Sequence, residues 1–130
     1  MENNFKTAKD IMIKKLVFIE GLDTIEEAIT KMKAEPVDVL FVKKRNPQDA
    51  FGIITARDIV KKVYTLDLNP SEVNVYEVMS KPVISVPSDM NIRYIPRLML
   101  KAKIEIAPVE ENGELIGMIS FKSLVHQGLF

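Results

Sequence analysis

The sequence carries the same pattern twice, and this internal duplication limits the fold more than any other feature. Asp10-Ile11-Met12 corresponds to Glu77-Val78-Met79, and further along Gly52-Ile53-Ile54-Thr55 corresponds to Gly117-Met118-Ile119-Ser120. The apolar runs between these landmarks also align, with short insertions at the positions of loops. A structural unit of about 60 residues is therefore used twice. The spans assigned to the first repeat, the linker and the second repeat are 7–66, 67–73 and 74–130.

Each repeat reads as strand, helix, strand, strand and helix, which predicts a mixed α/β (α+β) fold. Asp23 and Glu26 match the capping-box spacing, so the first helix is expected to begin there. The elements predicted for the first repeat are strands over 16–19, 37–42 and 51–54 and helices over 24–34 and 56–64. Because a unit this small buries little apolar surface alone, we expect the two repeats to pack face to face around one core.

Two prolines mark where the second half should differ from the first. Pro96 falls inside the first helix of the second repeat, where it removes a backbone donor and should kink or shorten the helix. Pro70 lies between the repeats and is expected to open a short helical turn. The residues before Thr7 are expected to cross over and pack on the second repeat.

Composition narrows the class of protein. The 130 residues include 18 basic and 18 acidic side chains, so no net charge draws the chain to nucleic acid or to an anionic membrane. No apolar run approaches the roughly 18 to 20 residues that a membrane-spanning helix needs. The chain has no cysteine, which removes disulfides, zinc–thiolate sites and thiol nucleophiles. We therefore expect a cytoplasmic globular protein.

The junction between the third strand and the second helix of the first repeat carries the most informative residues. It reads Gly52-Ile53-Ile54-Thr55-Ala56-Arg57-Asp58, in which Thr55 suits an N-cap and Asp58 occupies the third helical position. Two interpretations stay open from these residues alone. Thr55 and Asp58 form only a capping box, or they form a nucleotide site in which the hydroxyl and Arg57 meet phosphate and the carboxylate meets a ribose diol.

The duplicated unit, the Asp10-Ile11-Met12 opening and this junction together resemble the cystathionine-β-synthase (CBS) domain family. The resemblance covers residues 7–129, and the order, spacing and duplication of the motifs carry it rather than any one motif. It implies a tandem pair, often called a Bateman module, with clefts between the two sheets and a tendency to form homodimers. It also implies a regulatory role in which AMP, ADP, ATP or S-adenosylmethionine binds and an attached or separate effector protein responds.

Carried onto this chain, the resemblance implies that Asp58 binds the ribose hydroxyls, Thr55 binds the ribose or a phosphate, and Arg57 faces the phosphates. It also implies apolar walls for the adenine and neighbouring contacts. The residues so implied are Lys14, Leu16, Val17, Val37, Val39 and Leu40, with Lys81, Pro82 and Val83 as equivalents from the second repeat.

The second copy of the junction departs from the family pattern. Ser120, Lys122 and Ser123 occupy the positions of Thr55, Arg57 and Asp58. A serine cannot grip a diol as a carboxylate does, and a charge-assisted hydrogen bond contributes roughly 1.5 to 3 kcal/mol. We therefore expect one competent adenosine site per chain and a second cleft that is empty or used differently.

Two other classes of function remain open. One is a ligand-independent dimerisation or protein-interaction module, which the missing carboxylate at Ser123 favours. The other is an unrelated small enzyme, but His126 is the single histidine and no metal-ligand spacing or nucleophile–base arrangement accompanies it. We expect no catalytic cofactor, no metal, no nucleic-acid partner and no membrane partner.

Overall fold

The computed structural model describes residues 5–130, which divide into two compact units. The central unit is the continuous stretch Val17–Val83, and the terminal unit combines residues 5–16 with Ile84–Phe130. The sequence repeats and the compact units therefore differ in their bounds. Each unit consists of one repeat from its first strand onward together with the segment that precedes the other repeat.

The sheet of the central unit has three strands in the order β1, β2, β3. These strands are β1 (Phe18–Ile19), β2 (Val39–Val42) and β3 (Gly52–Thr55). β1 runs parallel to β2, and β2 runs antiparallel to β3, with Val39 opposite Thr55 and Val42 opposite Gly52. The segment after the second helix adds to the free edge of β3, because Ser80 exchanges both backbone hydrogen bonds with Ile53 at 2.9 and 3.0 Å.

The first long helix of the central unit, α2, spans Ile25–Ala34. Its N-cap is Thr24, whose hydroxyl accepts a hydrogen bond from Glu27 N at 3.1 Å. The capping box is therefore Thr24 with Glu27, one residue later than the predicted Asp23 with Glu26. Asp23 instead closes the preceding turn by accepting from the Glu20 backbone N at 3.1 Å. Two adjacent residues both suit a cap, and the turn that begins at Glu20 decides between them.

The second helix of the central unit is α3 (Ala56–Ile59), which continues as a π-helical turn over Val60–Tyr64. Short 3₁₀ turns follow at Pro70–Glu72 and Val75–Glu77, the first opened by Pro70 as predicted. The helices and these turns pack on one face of the sheet, and the side chains between them form the hydrophobic core of the unit. Its largest members with little or no exposure are Ile25, Leu40, Ile54, Val63 and Val75.

The terminal unit repeats the same architecture. Its sheet has the order β4, β5, β6, with β4 parallel to β5 and β5 antiparallel to β6. The core contains the side chains Ile11, Ile95, Met99, Ile119 and Leu124, all with at most 1% exposure. The elements are α1 (Ala8–Ile11), β4 (Val86–Pro87), α4 (Ile95–Ala102), β5 (Ile106–Glu111), β6 (Glu114–Ser120) and α5 (Phe121–Gln127).

Pro96 shortens α4 as predicted. It lies in the first turn of the helix, where its missing N–H leaves no intrahelical bond unmade, and a 3₁₀ turn over Ile92–Tyr94 replaces the preceding residues. The prediction about the residues before Thr7 falls partly on residues 1–4, which lie outside the described residues. Lys6 does pack in the terminal unit, since its carbonyl accepts from Ile92 N at 3.0 Å.

The two glycines of the duplicated motif lie under methionines that come from elsewhere in the chain. A Cβ on Gly52 would lie 2.9 Å from Met79 Sδ, and a Cβ on Gly117 would lie 2.5 Å from Met12 Sδ. Met12 and Met79 are the methionines of the two matching tripeptides. The tripeptide before one repeat therefore packs against the glycine of the other, which explains why both motifs are duplicated together.

Candidate functional site

The junction from β3 to α3 forms the predicted capping box. Asp58 Oδ2 accepts hydrogen bonds from the Thr55 backbone N at 2.9 Å and from Thr55 Oγ1 at 3.0 Å. In return, Thr55 Oγ1 accepts from Asp58 N at 3.2 Å. Both side chains are partly exposed. The capping box is therefore present, and its geometry determines which atoms stay available to a ligand.

The capping box uses one carboxylate oxygen of Asp58. Within residues 5–130, no hydrogen bond engages its other oxygen, Oδ1. The single hydroxyl proton of Thr55 is given to Asp58, so the free capacity of Oγ1 is that of an acceptor. Arg57 is exposed at the second position of α3. The junction thus offers two oxygen acceptors and a cation within one helical turn.

The neighbouring predicted residues divide between the two faces of β2. Val39 is the register partner of Thr55 and lies on the face that points away from the helical core. Leu40 and Val17 point the other way and are part of that core, with 0% and 8% exposure. Val37 is half-buried and packs at the edge of the core. Val39 is itself 2% exposed, so Val37 is the one residue of these four with appreciable exposure in the central unit.

Lys14 and Leu16 belong to the terminal unit, where they follow Ile13. Lys14 is exposed, and Ile13 pairs with Met118 at the edge of β6. Lys81, Pro82 and Val83 belong to the central unit, at the edge of β3. The roles that the family resemblance implies for these residues stay predictions.

The corresponding junction of the terminal unit is closed. Ser123 Oγ accepts from Ser120 N at 2.9 Å and donates to Ser120 O at 2.9 Å, while Ser120 Oγ accepts from Ser123 N at 3.1 Å. Ser123 is 3% exposed, and Lys122 is exposed beside it. The serine therefore reproduces the cap of Asp58 without leaving an ionised oxygen for a ligand.

Lys81 takes part in an ion-pair cluster around Asp49, whose side chain is 7% exposed. Asp49 Oδ1 pairs with Lys81 Nζ at 2.5 Å, and Oδ2 accepts from the Arg45 backbone N at 2.9 Å and from Arg45 Nε at 3.1 Å. The Lys81 ammonium first, and then the donors of Arg45, hold the pKa of Asp49 far below its usual range. The cluster ties the loop after β2 to the segment beside β3.

The depressed pKa of Asp49 predicts a pH-dependent contribution to stability. A carboxyl whose pKa is lower in the folded state stabilises the fold above the unfolded pKa of about 4, and this contribution is lost as pH falls below that value. We therefore expect Asp49→Asn to lower the free energy of unfolding at pH 7 and to approach the wild type below pH 4. Urea denaturation at pH 7, 5, 4 and 3 measures this, with Asp89→Asn at an exposed position as the control. A constant difference across that range would show that the pairing does not act as described.

A pocket of about 780 Å³ also lies in the central unit. It is at the Val42 end of β2, away from Val39 and Thr55. Sequence reasoning did not predict this pocket. The available signal was the basic run Lys43-Lys44-Arg45, because its first two positions match Glu110 and Glu111 in the second repeat. The pocket is lined by Glu20, Gly21, Leu22, Asp23, Val42, Lys43, Arg45, Tyr76, Met79 and Lys81.

Two general features of the described chain bear on function. No helix within residues 5–130 is long and apolar enough to cross a bilayer. No group of three or more histidine, aspartate or glutamate side chains among these residues is arranged to hold a metal ion.

Comparison with known proteins gives a consistent family assignment. The family model of the CBS domain matches twice, at residues 8–65 and 75–128. An uncharacterised protein of Methanopyrus kandleri is 35% identical over 105 residues, which is 79% of this chain and 53% of that protein. A CBS domain-containing protein of Arabidopsis thaliana is 32% identical over 95% of this chain and 22% of its own length. The chain thus spans about half or less of these relatives.

Solved structures agree with the fold. A hexameric CBS-CP12 protein from bloom-forming cyanobacteria superposes with a TM-score of 0.93 and 33% identity, covering 97% of this chain and 70% of that one. An uncharacterised conserved protein from Pyrococcus horikoshii gives a TM-score of 0.83 over 99% of this chain and 98% of that one. At 22% identity, the second likeness supports the fold alone.

Proposed function

This chain belongs to the CBS domain family, and we propose that it is a regulatory module that binds an adenosine-containing ligand at one site per chain. The tandem pair is typical of regulatory ligand-binding or interaction modules. The ligand classes in question are AMP, ADP, ATP and S-adenosylmethionine. We propose no catalytic role for the chain. An effector protein of unknown identity would respond to the ligand-bound form.

The proposal rests on the different roles of the two carboxylate oxygens of Asp58. Oδ2 completes the helix cap, and no hydrogen bond within residues 5–130 occupies Oδ1. A carboxylate that is already oriented by two donors presents its other oxygen in a fixed direction, which lowers the entropy that a bound ligand must lose. An ionised acceptor with this geometry suits a hydroxyl donor such as a ribose 2′- or 3′-OH.

The direction of the Thr55 hydroxyl bond refines this proposal. Its proton points to Asp58, so Thr55 Oγ1 is ready to accept from a second ribose hydroxyl rather than to donate to a phosphate. Exposed Arg57 then supplies the charge for the phosphates. Val39, directly opposite Thr55 in the sheet, is 2% exposed, so half-buried Val37 is the residue of this set that we assign to the adenine. That the site also draws on residues of the other repeat remains a prediction.

The limit of one site per chain follows from the two junctions. The Ser123 hydroxyl both donates and accepts inside its own cap and is 3% exposed. A ligand hydroxyl would have to break one of these bonds and would gain no charge-assisted bond in exchange. We therefore propose that the Asp58 junction alone is competent for an adenosine ligand.

A thermal-shift screen tests the function. We expect at least one of AMP, ADP, ATP and S-adenosylmethionine to raise the melting temperature, because a ligand at 100 times its dissociation constant stabilises the native state by roughly 2.7 kcal/mol. Guanosine monophosphate serves as the base-specificity control. Failure of every adenosine compound at millimolar concentration would contradict the proposal.

The alternative is a ligand-independent dimerisation or protein-interaction module. The observation that favours it is the large apolar exposure after α3, where Val60, Tyr64 and Leu66 are 55%, 79% and 61% exposed. Side chains of this kind are typical of an interface between subunits. A concentration-dependent homodimer in sedimentation velocity, unaffected by nucleotide, would support this second function.

A further inference from the structure

The pocket at the far end of β2 is separate from the adenosine site within the central unit. Thr55 lies opposite Val39, whereas Val42 lines the pocket, and the three residue steps from Val39 to Val42 span about 10 Å along β2. The pocket walls come from the turn between β1 and α2, from the end of β2 and from the segment over 76–81. Lys81 is shared with the residues that the family resemblance implies for an adenosine ligand, and the other lining residues are not among them.

The floor of the pocket is apolar and partly aromatic. Val42 is buried, Met79 is half-buried, and Leu22 and Tyr76 are exposed at the mouth. Gly21 lacks a side chain where a methyl group would reach Tyr76 Cβ at 3.6 Å and Val42 Cγ1 at 3.7 Å. A ring of the ligand would contact the tyrosine and the methionine sulfur, both of which favour aromatic neighbours.

The rim of the pocket carries three basic side chains. Arg45 bonds Asp49 through Nε, so its terminal guanidinium nitrogens keep their hydrogen-bonding capacity. Lys81 shares the same carboxylate, which means that one buried negative charge serves two cations. Lys43 faces Glu20 at 3.5 Å, with both side chains more than half exposed. A pair this exposed contributes little, and an anion from solution can displace its acidic partner.

Two acidic side chains also line the pocket, and each has a partner on one oxygen. Asp23 accepts from the Glu20 backbone N at 3.1 Å, and Glu20 is the partner of Lys43. Asp49 lies behind the rim and is paired on both oxygens. Arg45 and Lys81 share one carboxylate, so their remaining N–H groups are available to the acid group of a ligand, together with Lys43 once Glu20 is displaced.

The equivalent positions of the terminal unit carry different side chains. Lys9 stands in the place of Tyr76, because Lys9 N bonds Ser88 O at 3.0 Å as Tyr76 N bonds Gly21 O at 2.9 Å. Acidic residues stand in the place of the lysines after β2, and Lys9 pairs with one of them, Glu111, at 3.2 Å. Both units fold alike with opposite charges here. The fold therefore does not require the aromatic ring and basic rim of the central unit.

We propose that this pocket binds a small organic acid that joins a planar ring to a phosphate or carboxylate group. The ring lies on Val42, Met79 and Tyr76, and the acid group replaces Glu20 as the partner of Lys43. Arg45 and Lys81 supply further donors to the same group.

Phenyl phosphate and benzoate are the probes for this site, and amide chemical-shift perturbation of the isotope-labelled chain is the measurement. We expect both probes to shift the amides of Gly21, Leu22 and Lys43, and the relative affinities show which acid group is preferred. Phenol, which lacks the charge, and inorganic phosphate, which lacks the ring, should each bind at least about tenfold more weakly.

Lys43→Glu and Lys44→Glu form a matched pair of variants. Both change the net charge equally, but Lys44 lies over the Phe51 ring, 4.9 Å from its centroid, and does not line the pocket. We expect Lys43→Glu to raise the dissociation constant of the preferred probe about tenfold and Lys44→Glu to change it less than twofold. Equal effects of the two variants, shifts centred on Thr55–Asp58 instead, or no shifts at millimolar probe would each overturn the proposal.

Discussion

Replacing Asp58 by serine is expected to weaken the binding of the adenosine ligand by about tenfold to a hundredfold while the protein stays folded. The substitution removes the ionised oxygen that has no partner in the described chain, and with it a charge-assisted hydrogen bond of roughly 1.5 to 3 kcal/mol. Isothermal titration calorimetry with the ligand found by thermal shift measures the change in affinity.

Serine is the informative replacement because the chain itself shows that serine completes this cap. Ser123 forms the same box with Ser120, with an N–H to Oγ distance of 2.9 Å. Alanine at position 58 would instead remove a cap, which costs about 1 kcal/mol of stability and confuses binding with folding. Asp89→Ser, at an exposed position, is the matched control for charge. Unchanged affinity in Asp58→Ser would leave Asp58 with a capping role only.

Gly117→Ala is expected to destabilise the protein by about 2 to 3 kcal/mol, the upper part of the usual range for an overpacked core. The new methyl group would lie 2.5 Å from Met12 Sδ and 2.9 Å from the carbonyl oxygen of Ile13. The methionine can move, but Ile13 is held by two backbone hydrogen bonds to Met118, at 2.8 and 2.9 Å. The segment must therefore separate from β6 or strain it.

Gly52→Ala provides the comparison within the same molecule. Its nearest neighbour is the flexible Met79 Sδ at 2.9 Å, and the Ser80 backbone oxygen is farther away at 3.3 Å. We expect a loss of about 1 kcal/mol there and almost none for Gly21→Ala, whose contacts are ordinary. Chemical denaturation of the three variants measures the order. A Gly117→Ala protein as stable as Gly21→Ala would show that the segment over 7–13 is not packed as described.

The sequence predicted the order of elements in both repeats, because the apolar periodicity and the duplication support each other. The junction at Thr55 and Asp58 was also predictable, since a hydroxyl followed three residues later by a carboxylate has one favourable local geometry. The start of α2 was misplaced by one residue, because Asp23 and Thr24 both suit a cap and only the turn at Glu20 separates them. Such ties are decided by tertiary structure.

The pocket and the partners of the motif glycines could not be read from local pattern. The neighbours of Gly52 are Met79 and Ser80, which the linear sequence places in the next repeat. Asp49 lies in the loop between β2 and β3, and its side chain is nearly buried between Lys81 and Arg45. Contacts between segments far apart in the sequence depend on which segments join the same compact unit. The apolar periodicity of the sequence gives no information about this.

The pairing of Ile13 with Met118 also orders events on the ribosome. Val17–Val83 is continuous, so the central unit has all its residues once position 83 has emerged. The segment over 7–13 emerges earlier still, but its partners along β6 follow more than a hundred residues later. At ordinary rates of translation, Ile13 remains without its partner Met118 for roughly 5 to 20 seconds. Early termination just before residue 118 would leave Ile13 without its partner on β6, while Lys6 and Lys9 could still bond Ile92 and Ser88.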